Sequence, residues 1–192
     1  MFCIQRMPDE PDTVSKSTED ELIAVRREKL ARLRELGVNP FGERFETDRE
    51  ICGLSANFEE GLKVRIAGRI TAHRDMGKSH FFDISDFRGR IQCYLNAKAV
   101  GDEQFEVFSQ LDLGDWIGIE GETFNTKVGE PTVKTETFRV LSKSLRPMPD
   151  KYHGLADKEI RYRQRYLDLM SNESSRDIFL KRSLMVLSLI HI

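Results

Sequence analysis

Apolar and polar residues follow two different periods along the chain, and the period changes near residue 62. From Ser17 to Gly42, apolar residues recur at helical intervals, as on one face of an amphipathic helix. From Leu62 onwards, several segments alternate apolar and polar residues, which places successive side chains on opposite faces of a β-strand. The pattern therefore predicts a helix followed by a mainly β domain.

The predicted helix begins near Thr18, which fits a capping box with Glu21, and it ends before Gly37. Its apolar stripe contains Leu22, Val25, Leu30, Leu33 and Leu36, and its other faces carry Arg26, Arg27, Lys29, Arg32 and Arg34. Two interpretations fit this pattern: a solvated surface helix, or a helix whose basic faces also contact a polyanion. The residues before it, 1–16, are expected to form a disordered tail.

Five segments with strand periodicity and one short helix make up the β region. The strands are predicted over 62–75, 77–86, 89–96, 115–124 and 131–141, and the helix over 102–114 lies between the third and fourth strands. Three strands, a helix and two strands is the element order of an OB-fold, a five-stranded β-barrel. An SH3-like barrel or half of a β-sandwich would give a similar pattern, so these two folds remain alternatives.

Two adjacent phenylalanines in the second strand must point to opposite faces of the sheet. Phe82 continues the apolar alternation and is expected inside the barrel, which leaves Phe81 on the outer face. In the third strand the same alternation directs Gln92 outwards, because the inward positions are Ile91, Cys93 and Leu95. Phe81 and Gln92 are therefore expected to share the solvent face of strands two and three, where OB-folds bind oligonucleotides.

The chemistry of these side chains suits an unpaired base. An exposed aromatic ring provides a stacking surface worth about 1–3 kcal/mol per base, and an amide can hydrogen-bond the edge of an unstacked base. The loop after the first strand adds Arg74 and Lys78, and the loop between the last two strands adds Lys127 and Glu130. We therefore treat these six residues as the candidate binding site: Arg74, Lys78, Phe81, Gln92, Lys127 and Glu130.

Charge is distributed unevenly along the chain. The net charge is −2 overall, yet residues 62–98 contain eight Lys or Arg residues and three acids, a local net of +5. A local basic excess favours contact with a phosphate backbone. The alternative is a packing surface on which Phe81 is covered by the N-terminal helix or by a partner chain.

The composition indicates the expected cellular compartment of the protein. The three cysteines (Cys3, Cys52 and Cys93) show no CxxC pairing, which favours a reducing compartment over a disulfide framework. The four histidines lack ligand spacing, so we expect no metal site. No segment has the apolar length of a signal peptide or a membrane span, and a cytoplasmic protein without membrane contact is expected.

Several segments between Ser17 and Ser183 resemble the lysyl-tRNA synthetase family of class II. The most specific is DKEIRYRQRYLDL, in a predicted helix near 157–170 that follows a linker stiffened by Pro147 and Pro149. Others are LRELGVNPFGERFE, MGKSHFFDISD, GRIQCY and LDLGDWIGIEG. The resemblance implies an OB-type anticodon-binding domain followed by a class II catalytic domain. The expected domains are then a tail at 1–16, a helix and connection at 17–61, the OB-fold at 62–146, and a hinge with a truncated catalytic start at 147–192.

The resemblance also implies roles for the candidate residues. Phe81 matches the aromatic residue that stacks on anticodon bases, Gln92 and Arg74 match the residues that read the central uridine, and Glu130 matches a glutamate near the first anticodon base. The implied partner is the anticodon stem-loop of tRNA(Lys). The implied parent enzyme is a homodimer that forms lysyl-adenylate from lysine and ATP with Mg²⁺ and then transfers lysine to the tRNA.

The same family places its catalytic motifs 2 and 3 beyond residue 192. We therefore expect no catalytic residue and no cofactor in this chain, and no lysine activation by it alone. The last residues, LMVLSLIHI, depart from the family pattern and read as a truncation or a frame error with an aggregation hazard. Met7 is an alternative start. Two other function classes stay open: an aspartyl- or asparaginyl-type class II synthetase, and a stand-alone OB module for single strands or protein partners.

Overall fold

The computed structural model describes residues 12–42, 44–148 and 158–192, and the chain forms two compact units, residues 1–147 and 148–192. Residues 1–11 of the predicted tail lie outside the described residues. The first helix, α1 (Asp12–Glu35), begins six residues before Thr18. The predicted start at Thr18 is therefore wrong, because nothing in the sequence DTVSKS, which contains neither proline nor glycine, stops the helix from extending.

Charged side chains hold α1 against the rest of its unit. Arg26 donates hydrogen bonds to the carbonyl oxygens of Leu113, Ser144 and Arg146. Lys29 lies 2.6 Å from an oxygen of Asp112. The predicted apolar stripe is buried chiefly at its end, since Leu33 is buried whereas Leu22 and Val25 are about half exposed (47% and 49%). Arg26 and Lys29, two of the basic residues considered for contact with a polyanion, therefore make contacts within the unit instead.

Five strands close into a barrel. They are β1 (Lys63–Asp75), β2 (Ser79–Ser85), β3 (Arg90–Asn96), β4 (Trp116–Asn125) and β5 (Pro131–Ser142). Their order around the barrel is β1-β2-β3-β5-β4, with β3 and β5 parallel and the other pairs antiparallel. This architecture, with helices flanking the barrel, confirms the predicted OB-fold.

The barrel interior is filled by the side chains that the alternation directed inwards. Phe82 and Ile84 on β2 are buried, as predicted, and so are Ile91, Cys93 and Leu95 on β3. Residues on the other strands complete this core: Val64, Ile66, Ile70, Ile117, Ile119, Val133, Phe138 and Val140.

Three short helices accompany the strands: α2 (Ile51–Ala56) precedes β1, and α3 (Ala97–Val100) and α4 (Asp102–Ser109) lie between β3 and β4. The sequence predicted α4 but neither of the others. Phe108 of α4 enters the end of the barrel, where its ring centroid lies 4.9 Å from that of Phe82 and 5.5 Å from that of Phe138. The predicted helix between strands three and four therefore closes one end of the barrel.

A β-bulge at Thr71 changes which residues of β1 face outwards. Ile70 lies opposite Ile84, but Ala72 lies opposite Asp83, so one residue of β1 is left over. An extra residue reverses the alternation beyond it. Arg74 consequently lies opposite Phe81. The prediction that Arg74 belongs to the first loop is wrong, because it is on β1.

The second unit contains three helices, α5 (Lys158–Arg163), α6 (Arg165–Ser171) and α7 (Glu173–His191). The helix predicted near 157–170 is interrupted at Gln164, whose backbone is not helical. The buried carboxylate of Asp168 organises this unit by accepting hydrogen bonds from Arg161 and Arg165, each at 2.7 Å. Among the described residues, no helix is long and apolar enough to cross a membrane.

Candidate nucleic-acid interface

Three aromatic rings form a row on the outer face of the barrel: Phe81 on β2, Tyr94 on β3 and Phe124 on β4. Phe81 lies opposite Tyr94 in the strand register, and their ring centroids are 4.9 Å apart. The centroids of Tyr94 and Phe124 are 6.2 Å apart. All three rings are partly exposed. This aromatic row is therefore a surface on which unpaired bases can stack.

The middle ring of the row is held in place by its hydroxyl group. The Tyr94 hydroxyl lies 3.2 Å from Ser79 Oγ and accepts a 3.0 Å hydrogen bond from the Asn96 amide. Asn96 also donates to Ser79 Oγ at 2.9 Å. The hydrogen bond with Ser79, followed by that with Asn96, contributes most to lowering the pKa of Tyr94 from its ordinary value. The network fixes the ring of Tyr94 and so limits the rearrangement needed when a base stacks there.

Tyr94 and Phe124 were not among the candidate residues, although Tyr94 lies two positions after Gln92 on β3 and so faces the same side. Phe124 reaches this face through strand pairing, because it lies opposite Thr132 on β5, which in turn lies next to Gln92 on β3. The alternation along β3 was therefore enough to place Tyr94 on the outer face. The position of Phe124 follows from the pairing of β5 with both β3 and β4, which local periodicity does not specify.

Of the three predicted cations, one lies on a strand beside the aromatic row and two lie in loops. Arg74 is exposed on β1 directly opposite Phe81. Lys78 is exposed in the short turn between β1 and β2, and Lys127 is exposed in the loop between β4 and β5. The structure therefore brings Arg74 to the aromatic row and places both lysines in flanking loops.

Gln92 lies on the predicted side of the sheet, opposite Asp83 and two positions before Tyr94 on β3, but it is buried rather than solvent-exposed. Its amide nitrogen donates to Glu130 Oε2 at 3.1 Å, and its amide oxygen accepts from Thr132 Oγ1 at 2.9 Å. The burial has a topological cause, because β5 pairs with β3 and brings both partners over the amide. Thr132 was missed for the same reason.

A cavity of about 180 Å³ opens beside Gln92. Its polar lining comprises Ser55, Asp83, Arg90, Gln92 and Glu130. The Asp83 side chain, two positions after Phe81 on β2, is only 7% exposed, and Arg90 Nε lies 3.8 Å from its carboxylate. The volume is several times the roughly 30 Å³ share of one water molecule. The cavity can therefore admit a hydrogen-bonding group larger than water next to the amide.

The basic excess of residues 62–98 is only partly directed at this face. Arg65 pairs with Glu120 of β4 at 2.9 Å, and Arg69 lies over the ring of Trp116. Arg88 lies 3.8 Å from Glu50. Counting charges along the sequence thus overstates the charge that is available to a ligand on the aromatic row.

Comparison with known proteins agrees with this geometry. The family described as an OB-fold nucleic acid binding domain, tRNA_anti-codon, matches residues 64–141. Lysine–tRNA ligases of Bacillus cytotoxicus and Bacillus cereus are 49% identical to the chain over 181 residues, and that of Bacillus anthracis is 48% identical. The chain is homologous to lysine–tRNA ligases. The matched region is 90% of this chain but 36% of each relative, so the chain spans about a third of their length.

The homology confirms the family resemblance drawn from the sequence motifs. All six candidate residues fall within the segment that matches the OB-fold nucleic acid binding domain. Their individual roles, like the predicted domain boundaries, remain predictions. Within the described parts of the chain, no three His, Cys, Asp or Glu side chains converge as ligands for a metal ion.

Proposed function

We propose that this chain recognises the anticodon loop of tRNA(Lys) as part of a lysine–tRNA ligase. The observation that carries the proposal is the clustering of Phe81, Arg74 and the Gln92 amide on one face of the barrel. Stacking and edge recognition both need unpaired bases, which an anticodon loop supplies. A duplex would hide its bases from such a surface.

Each part of the site has a separate task in this proposal. An unpaired base stacks on the partly exposed ring of Phe81, and Gln92 and Arg74 hydrogen-bond the edge of the central uridine. Lys78 and Lys127 lie in exposed loops, where they can neutralise phosphates without specifying sequence. Glu130 is assigned to the neighbourhood of the first anticodon base by its match to the family.

The larger enzyme is proposed to be a cytoplasmic homodimer that forms lysyl-adenylate from lysine, ATP and Mg²⁺ and charges tRNA(Lys). The chain covers 36% of its relatives, and in the family the residues for ATP belong to later motifs. We therefore expect this polypeptide alone to give no lysine-dependent ATP–pyrophosphate exchange. Exchange above a no-lysine control would contradict the assignment of catalysis to another part of the enzyme.

The proposed readout is tested by binding RNA hairpins that differ at the central anticodon base. Replacing the central uridine should weaken binding by about 1–3 kcal/mol, the range for one good base contact. Equal affinity for both hairpins would identify a general single-strand binder instead. The hairpins share their stem and all other loop bases, so non-specific phosphate contacts cancel in the comparison.

The stacking role is tested with Phe81→Ala. Loss of the ring should weaken hairpin binding by about 1–3 kcal/mol, while thermal unfolding stays close to that of the unmodified chain because the ring is partly exposed. Phe87→Ala is a matched control, since Phe87 is 54% exposed and lies outside the aromatic row. Equal effects of the two substitutions would contradict a specific role for Phe81.

A further inference from the structure

We propose that Glu130 is a positioning residue that fixes the orientation of the Gln92 amide and thereby selects uridine over cytidine. The inference rests on the proposed function, in which Gln92 reads the edge of the central base. It explains why uridine is preferred to cytidine, which the Gln92 amide alone does not explain.

A glutamine amide can be presented to a base in two ways. Its nitrogen donates and its oxygen accepts, so a half-turn about the last side-chain bond exchanges the donor and acceptor positions. The pairing edge of uracil presents a carbonyl acceptor beside an N–H donor, whereas cytosine presents an amino donor beside a ring-nitrogen acceptor. For a base held with its C4 substituent and N3 facing the amide, one orientation of Gln92 therefore complements uracil, and the reversed orientation complements cytosine.

The contacts of Gln92 allow one orientation. A carboxylate accepts hydrogen bonds but cannot donate them. The group 3.1 Å from Glu130 Oε2 must therefore be the amide nitrogen of Gln92, and the amide oxygen is left facing Thr132 Oγ1 at 2.9 Å. A reversed amide would place its oxygen against the carboxylate, which is repulsive.

Thr132 completes this arrangement but does not determine it. Its hydroxyl can donate or accept, and it also lies 3.1 Å from the backbone carbonyl oxygen of Glu130. If Thr132 were the sole partner, either orientation of the amide would be satisfied. The other nearby carboxylate, Asp83, lies opposite Gln92 in the register and has Arg90 beside it at 3.8 Å. Glu130 is thus the carboxylate that the structure joins to the amide.

Burial strengthens the constraint. Gln92 is 7% exposed and Thr132 is fully buried, so water cannot readily replace Thr132 as the partner of the amide oxygen. Glu130 itself is exposed, at the end of the loop between β4 and β5. A substitution at Glu130 can therefore change the orientation of the amide without opening the barrel core.

The test compares the affinities of the full chain for two RNA hairpins that differ only by uridine or cytidine at the central loop position. One bidentate base contact corresponds to a preference of about 5- to 150-fold, from ~1–3 kcal/mol at 1.4 kcal/mol per tenfold. Glu130→Gln keeps the size of the side chain but introduces a group that can donate or accept. We expect this variant to bring the uridine-to-cytidine preference close to one.

The ratio isolates orientation from charge. Removing a negative charge strengthens binding of both hairpins through their phosphates, and this shared gain cancels in the ratio. Glu136→Gln is the matched control, because Glu136 is an exposed glutamate on β5 and carries the same charge. It should raise both affinities slightly and leave the preference unchanged.

Gln92→Met separates failure of this inference from failure of the proposed function. If Gln92→Met abolishes the preference while Glu130→Gln retains it, the orienting role of Glu130 is overturned and the readout by Gln92 stands. If Gln92→Met retains the full preference, readout by Gln92 itself is wrong, and the inference falls with it. Thermal unfolding of each variant verifies that the barrel is intact.

Discussion

At the scale of single residues, the ammonium group of Lys143 sits among carboxylates inside the first unit. Its side chain is fully buried and donates to Asp112 Oδ2 at 2.6 Å and to Asp115 Oδ2 at 2.8 Å. Burial raises the pKa of Asp112, but hydrogen bonds from Lys143 and Lys29 outweigh it, so the pKa lies below its ordinary value. The cluster is therefore a compensated set of buried charges rather than a neutral polar contact.

Lys143→Met should destabilise the protein by about 3–5 kcal/mol, because it leaves buried carboxylates without their cation. The measurement is the free energy of unfolding in urea at neutral pH. Lys63→Met is the control, since Lys63 is exposed at the start of β1 and should change stability by less than ~0.5 kcal/mol. A loss at Lys143 as small as that at Lys63 would contradict the paired-charge account.

For the site residues, the sequence predicts which face of the sheet each side chain occupies but not what covers it. Parity within β2 placed Phe81 outwards and Phe82 inwards, and this follows from neighbouring residues alone. Gln92 was placed on the correct side of the sheet, yet its burial depends on Thr132 and Glu130, about forty residues away in the chain. Local periodicity reports which face a side chain occupies, whereas tertiary pairing determines what covers it.

At the scale of elements, the close approach of β4 and β5 depends on Gly121. The register of the two strands shifts between Glu120 and Gly121, and a Cβ atom at Gly121 would collide with the backbone carbonyl oxygen of Lys134. Backbone cannot move aside as a flexible side chain can. This bulge therefore requires a residue without a side chain.

Gly121→Ala should destabilise the protein by about 1–3 kcal/mol, the usual range for overpacking. Gly53→Ala is the matched control within α2, where an added Cβ meets no atom within 4 Å. That substitution should stabilise by about 0.5–1 kcal/mol, because alanine favours a helix over glycine. Similar unfolding free energies for the two variants in urea would contradict the steric explanation.

All five strands could be predicted from the sequence because their alternation is local, but two features of the elements could not. The bulge at Thr71 arises from the pairing of β1 with β2, and it alone moves Arg74 onto the face of Phe81. The helix α2 has six residues, too few for a 3.6-residue period to be recognised. Predicting the strands therefore fixed the barrel, while the position of Arg74 required the strand register.

At the scale of the whole molecule, α7 exposes apolar side chains around its full circumference. Leu184, Met185, Leu189 and Ile190 are 65–74% exposed, and Leu187 is 53% exposed. Exposed apolar surface of this kind favours self-association at micromolar to millimolar concentrations. The segment LMVLSLIHI carries the same aggregation hazard, since it contains no Asp, Glu, Lys or Arg residue.

Removing residues 184–192 should keep the protein monomeric, whereas the complete 192-residue chain of 22.2 kDa should gain mass with concentration in light scattering. A variant of unchanged length, Leu187→Glu with Ile190→Glu, distinguishes the loss of apolar surface from the loss of residues. It should behave like the shortened chain, because two charges interrupt the exposed apolar helix. If the complete chain instead scatters as a 22.2 kDa particle throughout the same range, α7 does not drive association.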